Sequence, residues 1–169
     1  MSVAAPLVDS DMIEAIAARL DLRAPNRGAL DSIAKAVAQH YDVDGGEAPF
    51  ECVVDLATAV GKTYVMAAAI DYFAAEGVRN FAVITPGKTI LRKTVDNFTP
   101  GHPKSLLDRM EVQPVVITSD NFATPVMRAA MDDDSEVKLF VFTVQALLKP
   151  DTETGRKTRK FQEGLGKAF

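Results

Sequence analysis

Residues 51–64, ECVVDLATAVGKTY, hold the groups best suited to chemistry in this chain. An apolar run beginning at Cys52 leads into the small residues between Ala57 and Gly61. Lys62 and Thr63 follow, and then a pattern with helical spacing. Strand, tight turn, Gly-Lys-Thr and helix in that order make an anion cradle. The turn amides point at the ligand, and the helix adds roughly +0.5 charge at its N-terminus. In such a cradle the lysine reaches terminal phosphates and the threonine hydroxyl ligates Mg2+. Lys62 and Thr63 are therefore the candidate catalytic pair, with Thr63 the magnesium ligand, and Thr58, Ala59, Val60 and Gly61 line the loop. The strict spacing G-x-x-x-x-G-K-[ST] is not met, because Leu56 stands where its first glycine belongs. The bland alternative is a chance Gly-Lys-Thr at a helix start.

The chain around this stretch has 169 residues, 47% of them apolar and 25% charged, which suits one globular domain with a proper core. No apolar run is long enough to cross a membrane, and the N-terminal MSVAAPLVDSDMIEA lacks the basic start and apolar centre of a signal peptide. Cys52 is the only cysteine, so no internal disulfide forms and a cytoplasmic location is expected. Two histidines and one cysteine, far apart, argue against zinc. A net charge of −4 does not suggest a dedicated nucleic-acid binder, although Lys149, Arg156, Lys157, Arg159, Lys160 and Lys167 gather near the C-terminus. Asp132, Asp133, Asp134 and Glu136 read as a solvated turn rather than a metal site.

Helical spacing of Met12, Ile13, Ile16 and Leu20 predicts a first helix capped by Ser10 or Asp11. Pro25 disfavours a helical Ala24, so a second helix is expected from about Arg27 to His40 with Asn26 as its cap. His40 then places charge at the helix's negative end. A first strand is expected over residues 52–56 and a third helix from Gly61 or Lys62 to about Glu76, with Val65, Met66, Ala69, Ile70 and Phe73 in the core and Gly77 as its stop. Residues 81–85 are expected to form a second buried strand and 89–98 a third amphipathic element. His102 follows in a loop and is expected to be exposed without a partner. Short strand 115–118, a helix within 121–131 delayed by Pro125, strand 137–144 and a helical piece over 145–148 complete the order. Apolar strands alternating with helices predict an α/β fold, a parallel sheet with helices on both faces.

With these residues in hand, the chain resembles the start of the first RecA-like motor domain of superfamily 2 DEAD/DEAH-like helicases and translocases, and type III restriction enzyme ATPase subunits most of all. LATAVGKT (56–63) is similar to that group's motif I, Met-Ala-Thr-Gly-Thr-Gly-Lys-Thr, with Ala59 and Val60 as departures. LRAPNRGAL (22–30) resembles the Q-motif region, in which a glutamine reads the adenine edge. Asn26 takes that place beside Arg23, and the resemblance adds both to the nucleotide contacts. VITPGKTIL (83–91) resembles motif Ia, and FVFTVQALL (140–148) the later strand-to-helix motif. Together they imply that Thr85, Gly87, Lys88, Arg92 and Thr143 touch nucleic-acid backbone. The resemblance implies a P-loop NTPase of RecA-like fold using ATP and Mg2+, with nucleic acid, DNA above all, as partner in the full motor. The implied layout is an N-terminal helical segment with the Q-motif-like region (1–45), a partial ATP-binding domain (46–149) and a basic tail or linker (150–169).

The apolar strand ending in Asp-Glu that carries the family's motif II is not found, so the resemblance implies an incomplete domain: an N-terminal fragment of a larger motor, or a truncated product. Alone it would bind nucleotide but hydrolyse it poorly. Two other readings stay open. One is a non-catalytic, degenerate P-loop scaffold, which Ala59 and Asn26 suit. The other is a small P-loop kinase with the Arg156–Lys160 stretch as its lid. In the family the motif II strand lies near the motif I strand, and without it strand edges are left bare. The isolated chain is therefore expected to be poorly soluble or to need a partner. A sharp, cooperative thermal melt of a soluble monomer would count against this.

Overall fold

A computed structural model describes residues 8–57 and 61–146, with Glu163 and Gly166. The chain divides into two compact units, Met1–Phe73 and Ala74–Phe169.

The first unit is helical. Helix α1, Ser10–Arg19, is capped by Asp9, whose side chain accepts the Met12 N–H at 2.9 Å; the expected caps Ser10 and Asp11 lie one and two residues inside. Its end is a left-handed turn. Asp21 has φ 51°, the Leu22 N–H reaches the Ala17 carbonyl at 2.9 Å, and the Asp21 N–H reaches Ala18 at 3.3 Å. This paired 6→1 and 5→2 closure usually carries glycine. Helix α2, Ala24–Ala38, starts three residues before the expected Arg27. Pro25 does not delay it, because the first turn needs no proline N–H and its φ is already helical. Asn26 is therefore not the cap; Arg23 holds that position with no side-chain bond.

Past α2 the ladder widens into a π-turn, Gln39–Val43. His40, expected at a helix end, lies inside this turn. Its Nε2 lies 2.8 Å from the Ala48 carbonyl oxygen, and its ring occupies the place where a Gly46 β-carbon would stand. The Phe50 N–H donates to the Tyr41 hydroxyl at 3.1 Å. These contacts fold the loop back on the turn.

The expected strand over 52–56 is not formed. Residues 51–57 join no ladder among the described residues, and Val53 is 95% exposed. Apolar, β-prone side chains do not make a strand without a neighbour whose backbone completes the hydrogen bonds. Helix α3, Lys62–Ala75, follows. It is buried more widely than one amphipathic face: Val65, Ala67, Ala68, Ile70, Asp71, Tyr72 and Ala74 are all buried, whereas Met66, Ala69 and Phe73 are only partly so. Asp71 accepts a 2.7 Å ion-paired bond from Arg19, with its side chain 1% exposed.

The second unit holds the sheet. Strands β1 (Asn80–Thr85), β2 (Val115–Thr118) and β3 (Lys138–Thr143) lie in the order β1-β3-β2, all parallel. β3 is central, and its residues from Lys138 to Phe142 are buried. Ile117, Phe122, Phe140 and Phe142 form a cluster, with Met127 and Met131 packed against it. Helix α4, Lys88–Asn97, packs on β1 and β3, and helix α5, Pro125–Asp132, packs on β2. The late start imposed by Pro125 is as expected, with Thr124 as the cap. His102 is partnered after all: its Nδ1 accepts the Lys104 N–H at 3.2 Å, and Asp96 lies 4.0 Å from Nε2. After β3 the chain makes a 3-10 turn, Val144–Ala146; the end of the helical piece expected over 145–148 lies outside the described residues. This is a small parallel α/β sheet flanked by helices, as part of a RecA-like fold requires. Among the described residues no helix is long and apolar enough to cross a membrane.

Arg19 stands over a carboxylate that water barely reaches. Arg19→Leu should lower unfolding stability by about 1–3 kcal/mol in urea titration, less than a fully buried pair because Arg19 is itself partly solvated. Replacing Asp71 by leucine in the same chain should recover much of that loss.

Candidate functional site

The candidate phosphate site lies in the first unit. Its anchor is Gly61, with φ +93°, a conformation open to glycine and strained for residues with a β-carbon. The Gly61 carbonyl accepts the N–H groups of Tyr64 at 2.9 Å and Val65 at 3.3 Å, which opens α3. As at any helix start, the first amides, here those of Lys62 and Thr63, stand outside the helical ladder and face whatever lies at its end. Lys62 is exposed and Thr63 half-buried, so the ammonium and hydroxyl are held at the helix start. Thr58, Ala59 and Val60, the remaining loop candidates, lie outside the described residues.

Asn26 is brought to this glycine from the first turn of α2. It is 3% exposed, and a β-carbon on Gly61 would stand 2.9 Å from its Nδ2 and 3.5 Å from Tyr64 Cδ2. Its Oδ1 is buried and takes no hydrogen bond among the described residues. Buried polar atoms in folded proteins are nearly always satisfied, so each exception needs a reason. A nucleotide fits this donor set: a bare glycine and helix-start amides with no partner among the described residues for phosphate, an ammonium for its charge, a hydroxyl for Mg2+, and an acceptor with no bond among the described residues. Arg23, expected alongside Asn26, is exposed at the cap of α2.

Beside Asn26 in sequence runs a feature that sequence reasoning missed. A groove of about 440 Å³ lies between α2 and the extended segment, with Pro25, Gly28, Ala29 and Ile33 on one wall and Val53 and Leu56 on the other. No sequence signal marks it, because it exists only where the segment stays out of a sheet.

The candidate nucleic-acid contacts lie in the second unit and are brought together at the C-terminal end of its sheet. Thr85 and Thr143 are register partners on adjacent strands. Gly87 caps α4, and Lys88 and Arg92 lie one turn apart on it, both exposed. The roles differ from the expectation in one respect. Thr85 is 2% exposed, with its hydroxyl 3.3 Å from the Phe142 carbonyl and 3.4 Å from that of Gly87. It braces the turn rather than reaching out. Gly87 is extended, and open space lies where its β-carbon would be.

The acidic loop has a satisfied carboxylate of its own. Ser135 bonds Asp133 through its hydroxyl at 2.6 Å and its N–H at 2.8 Å, which holds the Asp133 pKa below its ordinary value, with a smaller contribution from Lys138. No cluster suited to a metal ion occurs among the described residues.

Among known protein families, the model described as type III restriction enzyme, res subunit, aligns with residues 19–165. No curated protein and no solved structure matches the chain.

Gly61→Ala should cost about 1–3 kcal/mol of stability in chemical denaturation, from the positive φ and the contact with Asn26. Adding Asn26→Ala should relieve the contact part, so that the two losses together fall short of their sum.

Proposed function

The chain belongs to the type III restriction enzyme res-subunit family, an ATP-dependent, helicase-like and restriction-related group, and on that premise we propose that it is the ATP-binding segment of a nucleic-acid-dependent motor. The observation that carries the reading is the joining of Asn26 to Gly61 at the start of α3, with one buried acceptor left open. Lys62 would neutralise charge on the terminal phosphates and Thr63 would hold Mg2+. Asn26 and Arg23 would lie toward the base, with Thr58, Ala59, Val60 and Gly61 around the phosphates. In the second unit, Lys88, Arg92 and Thr143 would meet nucleic-acid phosphates, with Thr85 and Gly87 shaping the turn that presents them. Such contacts hold a strand without reading its sequence, and DNA is the strand expected of a restriction-related motor.

Phosphoryl transfer to water needs an acid to hold Mg2+ and orient the attacking water beyond what Lys62 and Thr63 provide. In this reading the chain on its own binds ATP and turns it over slowly, and the rest of a motor or a partner subunit completes the site. Photocrosslinking with labelled ATP tests the core of it. Wild type should label in a Mg2+-dependent way, and Lys62→Ala should lose at least about tenfold of that labelling, the effect of roughly one charge-assisted hydrogen bond. Equal labelling of the two chains would overturn the nucleotide site and leave a scaffold role as the better reading.

A further inference from the structure

Away from the candidate site, the sheet unit controls one of its own edges. Among the described residues β2 is an outer strand of the sheet, and an outer strand offers a row of backbone donors and acceptors to any strand it meets. The Val115 N–H bonds the Val137 carbonyl just ahead of β3. Alternate residues of a parallel pair turn their N–H and C=O to the same neighbour, so Val115 and Ile117 face β3 while Val116 and Thr118 face outward. The Asn121 side chain lies along that outward side. Its Oδ1 accepts the Thr118 N–H at 2.7 Å, and its Nδ2 donates to the Val116 carbonyl at 2.9 Å. These are the two bonds that one residue of a further parallel strand would make. The Thr118 carbonyl is taken as well, by the Phe122 N–H at 3.1 Å. Of the outward groups on these two residues, that leaves the Val116 N–H. Pro114, one step before β2 and in the same outward register, has no N–H to offer.

We propose that Asn121 is a latch on this edge: its amide occupies the place of a further strand and keeps β2 from pairing with β2 of a second copy of the chain. β2 reads Val-Val-Ile-Thr. All its residues are β-branched and none is charged, the composition that pairs edge to edge when its backbone is open. Many outer strands are guarded by charged side chains; here the guard is a proline and one side-chain amide. Two identical edges meet about a twofold axis, so pairing through β2 closes at a dimer. The latch depends on the shape of asparagine, which carries an acceptor and a donor on one planar group. Alanine offers neither. A serine hydroxyl is a single atom and cannot meet Val116 and Thr118 together.

Sedimentation velocity over a concentration series of the full chain tests this, with hydrogen exchange read at the lowest concentration and wild type as the reference throughout. In dilute Asn121→Ala the Thr118 amide should exchange at least about tenfold faster than in wild type, the worth of one hydrogen bond. As concentration rises, the weight-average mass of Asn121→Ala should climb to about twice that of wild type at the same concentration. Adding Val116→Pro deletes the last outward N–H without costing β2 a bond to β3, and it should return the mass to the wild-type value. Asn121→Ser is a second route to the open edge should the alanine variant not fold, and the same outcomes are expected of it. A mass equal to wild type at every concentration would overturn the latch, as would an unchanged Thr118 exchange rate. So would association that Val116→Pro does not reverse, because that is the behaviour of a loosened core and not of an opened edge. Loss of the folded circular dichroism signal in both Asn121 variants would also overturn it, since Asn121 would then hold the fold and not the edge.

Discussion

The absence of one β-carbon shapes the helical unit. Gly61 turns the chain at a positive φ, and its bare α-carbon lets the amide of Asn26 come within a distance that any side chain there would forbid. The start of α3 and the first turn of α2 are joined at this point, so the groups proposed to hold phosphate and base are presented together. Two further ties hold α3 to α1. Arg19 at the end of α1 pairs with buried Asp71 of α3, and the Tyr72 hydroxyl accepts the Asp9 N–H at the head of α1. The glycine contact sets local geometry, and the ion pair resists the sliding of α3 past α1.

The sheet unit works on a different principle. Its central strand has partners on both sides and is buried along nearly its whole length, so the register of β1 and β2 is fixed by a strand that has no freedom of its own. Register brings Thr85 beside Thr143, and a brace from the Thr85 hydroxyl to the neighbouring carbonyls shapes the turn leading into α4. Lys88 and Arg92 gain their position from that turn. A parallel sheet collects loops at the carboxyl ends of its strands, and here the polar candidates collect there too.

Much of this was legible in the residues and some was not, for identifiable reasons. β1, β2 and β3 were visible as apolar runs because a central or half-covered strand needs little beyond continuous hydrophobicity. Residues 52–56 show the same signal and form no strand, since apolar content reports a preference for burial and not the presence of a neighbour. Asn26 was ambiguous because a cap and a buried first-turn residue look alike in sequence; Pro25 decided it by fitting the helix start instead of blocking it. Asp21 gave no warning, as its left-handed turn normally falls to glycine. The nearness of Asn26 to Gly61 is a tertiary fact that no local pattern encodes, whereas Lys62 and Thr63 were evident at once because their type and spacing are the signal.

The extended stretch before the phosphate loop bears on how the molecule withstands handling. Residues 51–57 carry no ladder among the described residues, Val53 is almost wholly exposed, and Val54 is 41% exposed. That is the backbone shape a protease cleft accepts, and exposed, unladdered chain is where nicking concentrates. A cut there would sever the covalent path between Asn26 and Lys62, yet Arg19 and Asp71 lie on opposite sides of it and their ion pair would still bridge the two pieces. Such a preparation would run as two fragments under denaturing conditions and as one particle without them.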